Sequence, residues 1–209
     1  MSIQPLNSLS RYLRTDTKHL PIRRWAARSI LAADLDTYLI WNSLDKAILP
    51  LFQRYDFDYS QSPHDLKTLL PWLERQLEDS HGATLDADDP FVINTARIAS
   101  DLSLSSVELA LLHITLLKSQ SIPLCKALEV QGNELTLANA CRALADILEF
   151  EPDEVYSALR PDARLRRTGL LPWSYTSYPT GDLDEWLQAP KTLLNHVFEH
   201  YPGGLSIES

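Results

Sequence analysis

Proline stands where helices begin in this chain. Pro21, Pro63, Pro90, Pro123, Pro152 and Pro190 each open a segment that reads as a helix. A missing N–H is harmless there, because first-turn donors have no intrahelical partner in any case. Three capping boxes reinforce the pattern. They are Ser62-Pro63-His64-Asp65, Ser105 with Glu108, and Asp182 with Glu185.

The apolar spacing between these signals is helical. Ile22, Trp25, Ala26, Ile30 and Ala33 form one stripe, and a second helix is expected from about Asp34 to Leu49, ended by Pro50. Leu66, Leu69, Leu70, Leu73 and Leu77 form another stripe, with Pro71 inside it. Further helices are expected from Pro90 to Ala99, from Ser106 to about Ser119, and from Pro123 to Gly132. The run Leu137, Ala140, Cys141, Leu144, Ile147 and Leu148 is unbroken, and Val155, Ala158 and Leu159 face inward from the helix after Pro152. A last helix is expected from Pro190 to about Tyr201. Only Leu165 to Tyr178 has turn and strand character, because Gly169, Pro172 and Pro179 limit helix. The fold expected is all-α: a multi-helix domain with a winged-helix-like C-terminal unit and at most one small β-hairpin.

The chain divides most naturally at its acidic stretch, Glu78, Asp79, Asp86, Asp88 and Asp89. This gives an N-terminal helical unit over 1–80, a linker over 81–89, and a winged-helix-like unit over 90–204. The formal net charge is −9. It is uneven, with +5 on the first thirty residues and −14 on the remainder. Such a balance argues against a general nucleic-acid coat or a binder of anionic membranes. The basic start reads as a solvated first helix, with organelle targeting as the competing reading. No stretch approaches the ~20 apolar residues of a membrane span and no export signal is recognisable, so a cytoplasmic location is expected.

Catalytic signatures are sparse. No glycine is followed by lysine, which removes the phosphate loop G-x-x-x-x-G-K-[ST], and G-x-G-x-x-G is absent too. No G-x-S-x-G and no H-E-x-x-H occur. Cys125 and Cys141 fall on apolar helical stripes, where a small buried hydrophobe is the ordinary role. His196-Val197-Phe198-Glu199-His200 spells H-x-x-E-H, which on a helix sets two histidines on one face for zinc, with Glu199 as base. A third ligand is wanting, since Glu208 alone follows. The ordinary reading of this helix is an apolar face of Leu193, Leu194, Val197 and Phe198 with the histidines at its margin. No cofactor, no metal and no enzymatic activity are expected.

The region 105–178 is the most informative. A helix from Ser106, a helix from Thr136 to Leu148, a tight Glu149–Glu151 turn, a helix from Pro152 to Arg160 and a hairpin follow one another as in a winged helix. Arg160, Arg164, Arg166 and Arg167 cluster beside the third helix, and Trp173, Tyr175 and Tyr178 come next. Arginines and aromatics dominate interface energetics. Arg160, Arg164, Arg166, Arg167, Trp173 and Tyr175 are therefore the candidate partner surface. A DNA reading places the arginines on phosphates. Against it, Asp153, Glu154 and Asp162 lie on the same element and repel a phosphate backbone, so a protein partner is preferred.

Four runs carry a resemblance to a known family: Leu104–Leu112 (LSSVELALL), Ala143–Leu148 (ALADIL), Val155–Leu159 (VYSAL) and Asp162–Leu171 (DARLRRTGLL). Together they resemble the region that precedes the ATPase module in a group of bacterial AAA+ ATPases. The later Leu193–Tyr201 resembles the segment leading toward the ATPase core, and the resemblance spans about 90–204. It implies a non-catalytic front part that recognises a protein partner or substrate, or controls assembly of an ATPase whose module is expected C-terminal to Ser209. No Walker motif or sensor arginine can be placed in the present chain, so no catalytic residue carries over. The alternative is a winged-helix DNA-binding transcriptional regulator.

Overall fold

A computed structural model describes residues 20–33, 66–82, 84–131, 135–172, 181–201 and 205. The expected helix over 34–49, the capping box at Ser62, and the aromatics Trp173, Tyr175 and Tyr178 lie outside the described residues. Ten helices form there: α1 Leu20–Ala32, α2 Leu66–Asp79, α3 Pro90–Leu102, α4 Ser106–Lys118, α5 Ile122–Glu129, α6 Leu137–Leu148, α7 Pro152–Leu159, α8 Arg164–Arg167, α9 Leu183–Trp186 and α10 Lys191–His196. No strand occurs among the described residues. The chain is all-α in that part, and no helix of it is long and apolar enough to cross a membrane.

The local signals at helix starts act as their chemistry dictates. Asp89 caps α3 by accepting from the Phe91 N–H at 2.9 Å, with Pro90 in the first turn. Ser105 and Glu108 complete a reciprocal box at α4: the Ser105 N–H donates to Glu108 Oε2 at 2.8 Å, and the Glu108 N–H donates to Ser105 Oγ at 3.3 Å. Thr136 caps α6 and Asp182 caps α9. Helix α2 continues through Pro71.

Burial follows the apolar stripes. Helix α1 packs on α2, α5 and α6, and its Ala26, Ala27 and Ile30 are fully buried. Two alanines in sequence remove side-chain bulk, which permits close backbone approach. A polar stitch accompanies that approach, with Ser29 Oγ donating to the Ala127 carbonyl at 2.6 Å and Gln131 Nε2 donating to the Ser29 carbonyl. Helix α7 packs on α6 and α4, α4 on α3 and α5, and α9 on α5. Residues before the acidic stretch (Ile22, Ala26, Leu73) and after it (Leu111, Leu144, Trp186) belong to one buried cluster.

Two helix ends place a left-handed residue that is not glycine. Ser103 (φ 52°) follows α3 and Glu149 (φ 63°) follows α6. Each is closed by a bond spanning six residues, Leu104 N–H to the Ala99 carbonyl at 2.8 Å and Phe150 N–H to the Ala145 carbonyl at 3.1 Å. Leu104 and Phe150 then pack onto the core.

Two elements differ from expectation. Leu165–Arg167, expected at the start of a hairpin, completes α8, and Leu165, Leu170 and Leu171 are buried beneath it. The last helix stops at His196 rather than near Tyr201. Asn94 of α3, itself fully buried, accounts for that end. Its Nδ2 donates to the carbonyls of Val197 and Glu199 at 2.8 Å each, and its Oδ1 accepts from the Leu205 N–H at 2.8 Å.

The left-handed serine gives a direct test. Glycine adopts positive φ at little steric cost. Ser103→Gly is therefore expected to stabilise the protein by ~0.5–1 kcal/mol, read as a higher urea midpoint. A fall in the midpoint would contradict the assignment of this helix end.

Candidate functional site

The candidate surface is built by α7, α8 and the turn between them. Pro152 and the box of Glu151 with Glu154 start α7. Val155, Ala158 and Leu159 turn inward, which leaves Asp153, Tyr156 and Arg160 three and four residues apart on the outer face. Tyr156 is 46% exposed, the one large hydrophobic so exposed among the described residues.

The four arginines separate sharply in environment. Arg160 is exposed and pairs with Asp162 at 3.2 Å. Arg164 is exposed too, but its Nη1 donates to the Ser103 carbonyl at 2.5 Å and lies 3.8 Å from Glu108, so it braces the α3–α4 junction. Arg167 is exposed. Arg166 departs from the surface expected of it: it is only 4% exposed. Its turn of helix buries Leu165 and Arg166 together, so this arginine serves the interior.

A second feature was not legible in the sequence. A cleft of about 430 Å³ opens beside α1, with Pro21, Trp25, Leu85 and Val92 as apolar walls and Arg24, Glu149 and His113 as polar ones. Arg24 and Glu149 are 125 residues apart and joined twice, Nε to Oε2 at 2.7 Å and Nη2 to Oε1 at 2.6 Å. Arg24 Nη1 donates to the Leu77 carbonyl at 3.0 Å. Arg28 adds Nη1 to Glu149 Oε1 at 3.0 Å and Nε to the Asp146 carbonyl. The Arg24 hydrogen bond, helped by the charges of Arg28 and Arg24, holds the Glu149 carboxyl below its usual value. His113 is pushed down to about 4 by burial, so it is neutral at physiological pH. The only cue in the sequence was Arg24 and Arg28 at i, i+4, which share a helix face.

The cysteines and the C-terminal histidines each have a separate environment. Cys141 is buried. Cys125 is half-buried, 3.2 Å from Asp184 Oδ1 and 3.7 Å from Glu129 Oε1. Asp184 also accepts from Lys118 Nζ at 2.5 Å. Burial, reinforced by the hydrogen bond and charge of Asp184, pushes the Cys125 thiol up to about 12. A thiol held protonated is a poor nucleophile. His196 ends α10 and is hydrogen-bonded at Nδ1 with Tyr201 at 3.0 Å, while Glu199 and His200 lie beyond the helix. The one-face geometry that H-x-x-E-H needs for zinc is thus not formed. Among the described residues no group of three His, Cys, Asp or Glu side chains is arranged to hold a metal.

No family model, no curated protein and no solved structure matches the chain.

Two measurements check these environments. The Glu149 ion pair stabilises fully above the carboxyl's ordinary value of 4.5, because the folded-state value is the lower one. That stabilisation fades as pH falls through the folded-state value. Glu149→Gln should therefore lower the urea midpoint at pH 7, and the gap to the unsubstituted protein should narrow toward pH 3. A gap independent of pH would contradict the pair. For Cys125, iodoacetamide at pH 8 should alkylate the folded protein at least ~100-fold more slowly than the urea-unfolded chain. Equal rates would show that the thiol is not held as described.

Proposed function

We propose that the chain is a non-catalytic protein-interaction region, akin to the front part of a bacterial AAA+ ATPase, working in the cytoplasm. It recognises a protein partner or substrate, or controls assembly of an ATPase module. The observation that carries this reading is the outer face of α7, where Asp153, Tyr156 and Arg160 line up, with the exposed Arg167 on the neighbouring α8. An exposed aromatic between charges of both signs suits a protein surface, where tyrosine and arginine concentrate binding energy. With α5 inserted after α4, the succession α4, α6, tight turn, α7 supports a winged-helix-like unit, with the wing to be supplied after Leu171. Trp173 and Tyr175 would extend the same surface.

The second reading is a winged-helix DNA binder. In such a protein the first turn of the second motif helix meets the base edges. Here that turn carries Asp153 and Glu154, which disfavours a phosphate backbone.

A triple variant, Tyr156→Ala with Arg160→Glu and Arg167→Glu, separates the two. Capture from the source cell by the unsubstituted chain should yield a specific partner, which the variant loses at least ~10-fold; such surface changes move stability by about 0.5 kcal/mol each or less. Retention of the same partner by a folded variant would overturn the proposal. Duplex DNA binding that falls steeply with salt and is lost in the variant would select the DNA reading instead.

A further inference from the structure

We infer that the cleft beside α1 is a binding site for a planar aromatic group bearing one N–H donor, an indole, whose donor is received by His113 Nδ1. The site is separate from the α7–α8 face and does not rest on it.

The polarity of the cleft follows from its hydrogen bonds. Thr95 Oγ1 donates to the Phe91 carbonyl at 2.8 Å, the usual bond of a helical threonine to the residue four before it. Its one proton is thereby used, and it stands 2.8 Å from His113 Nε2 as an acceptor. The network thus assigns the imidazole proton to Nε2. Nδ1 is left with the lone pair of a ring that lines the cleft. Burial keeps the ring neutral, so this atom accepts over the whole physiological pH range. The ring itself is held in place by Phe91, 5.2 Å away centroid to centroid.

The remaining walls set the rest of the ligand. Pro21, Trp25, Leu85 and Val92 present apolar surface, suited to a flat, uncharged ring. Arg24 is engaged at each of its nitrogens, Nε and Nη2 with Glu149 and Nη1 with the Leu77 carbonyl, which holds its guanidinium against the cleft wall. A carboxylate or phosphate would meet the Glu149 carboxylate and the Nδ1 lone pair, which both repel it. The volume, about 430 Å³, lies in the range of small-molecule sites and admits a bicyclic ring. Such a group comes either as a free small molecule or as a tryptophan side chain on a peptide.

The test is a titration of the full chain, followed by NMR, with three probes: indole, benzofuran and the uncharged peptide Ac-Ala-Trp-Ala-NH2. Benzofuran has the shape of indole but an acceptor in place of the N–H. Saturable shifts at Trp25 and His113 are expected with indole, at an affinity about tenfold above benzofuran, the worth of one hydrogen bond to an otherwise unmatched buried acceptor. Binding of indole alone assigns a free small molecule. Binding of the peptide as well assigns a side chain. His113→Phe should abolish the preference for indole over benzofuran while keeping the Phe91 packing. Should that variant fail to fold, the comparison on the unsubstituted chain decides. Binding of neither indole nor peptide, or benzofuran binding as tightly as indole, would overturn the proposal.

Discussion

Glu149 closes α6 in a backbone conformation that a non-glycine residue adopts only at a cost, about 1–2 kcal/mol. Its carboxylate explains why glycine does not stand there. Arg24 grips it through two bonds and Arg28 through a third, so the residue that turns the chain from α6 toward α7 also anchors α1. The pair is partly exposed, and its Coulombic worth is discounted accordingly. Its structural weight is in direction. It fixes how α1 lies across α6, and Ala26, Ala27 and Ile30 are then buried where α1 meets the following helices. The same contact forms one wall of the cleft.

A comparable device holds the end of the chain. Asn94 contributes two donors and an acceptor from the middle of α3, and all go to backbone groups of Val197, Glu199 and Leu205. A fully buried amide satisfied in this way specifies one arrangement, since any shift strands a polar group in the interior. Phe198 stacks on Phe91 at 5.1 Å with the rings 13° from parallel, which adds apolar contact to the same junction.

The parts of this fold that were legible in the sequence are those set by neighbours along the chain. Proline and a capping oxygen satisfy first-turn donors locally, so the starts of α3, α4, α6 and α7 could be read from four or five residues. The ends were harder. Glu149 and Val197 are shaped by Arg24 and Asn94, each more than a hundred residues away, and no local pattern encodes such partners. The basic run Arg164–Arg167 shows a second limit. Its composition reads as surface, yet a four-residue helix above Leu165 and Leu171 turns one of its arginines inward. Charge alone does not reveal which member of a run faces the core. The cleft was illegible for the same reason as Glu149, because its walls come from α1, the loop after α2, α3, α4 and the end of α6.

Helix α3 is where the cleft and the chain's end converge. Val92 faces the cleft, while Phe91, Asn94 and Thr95, on the adjoining turn, hold Phe198, the carbonyls after α10, and His113 respectively. Because helical residues three and four apart share a side, one rigid turn serves both places. A closely packed interior transmits displacement instead of absorbing it. Occupation of the cleft that moved His113 would press on Phe91, and Phe91 has Phe198 on its other contact. The aromatic column His113, Phe91 and Phe198 is therefore a direct physical connection between the cleft and the segment that follows α10.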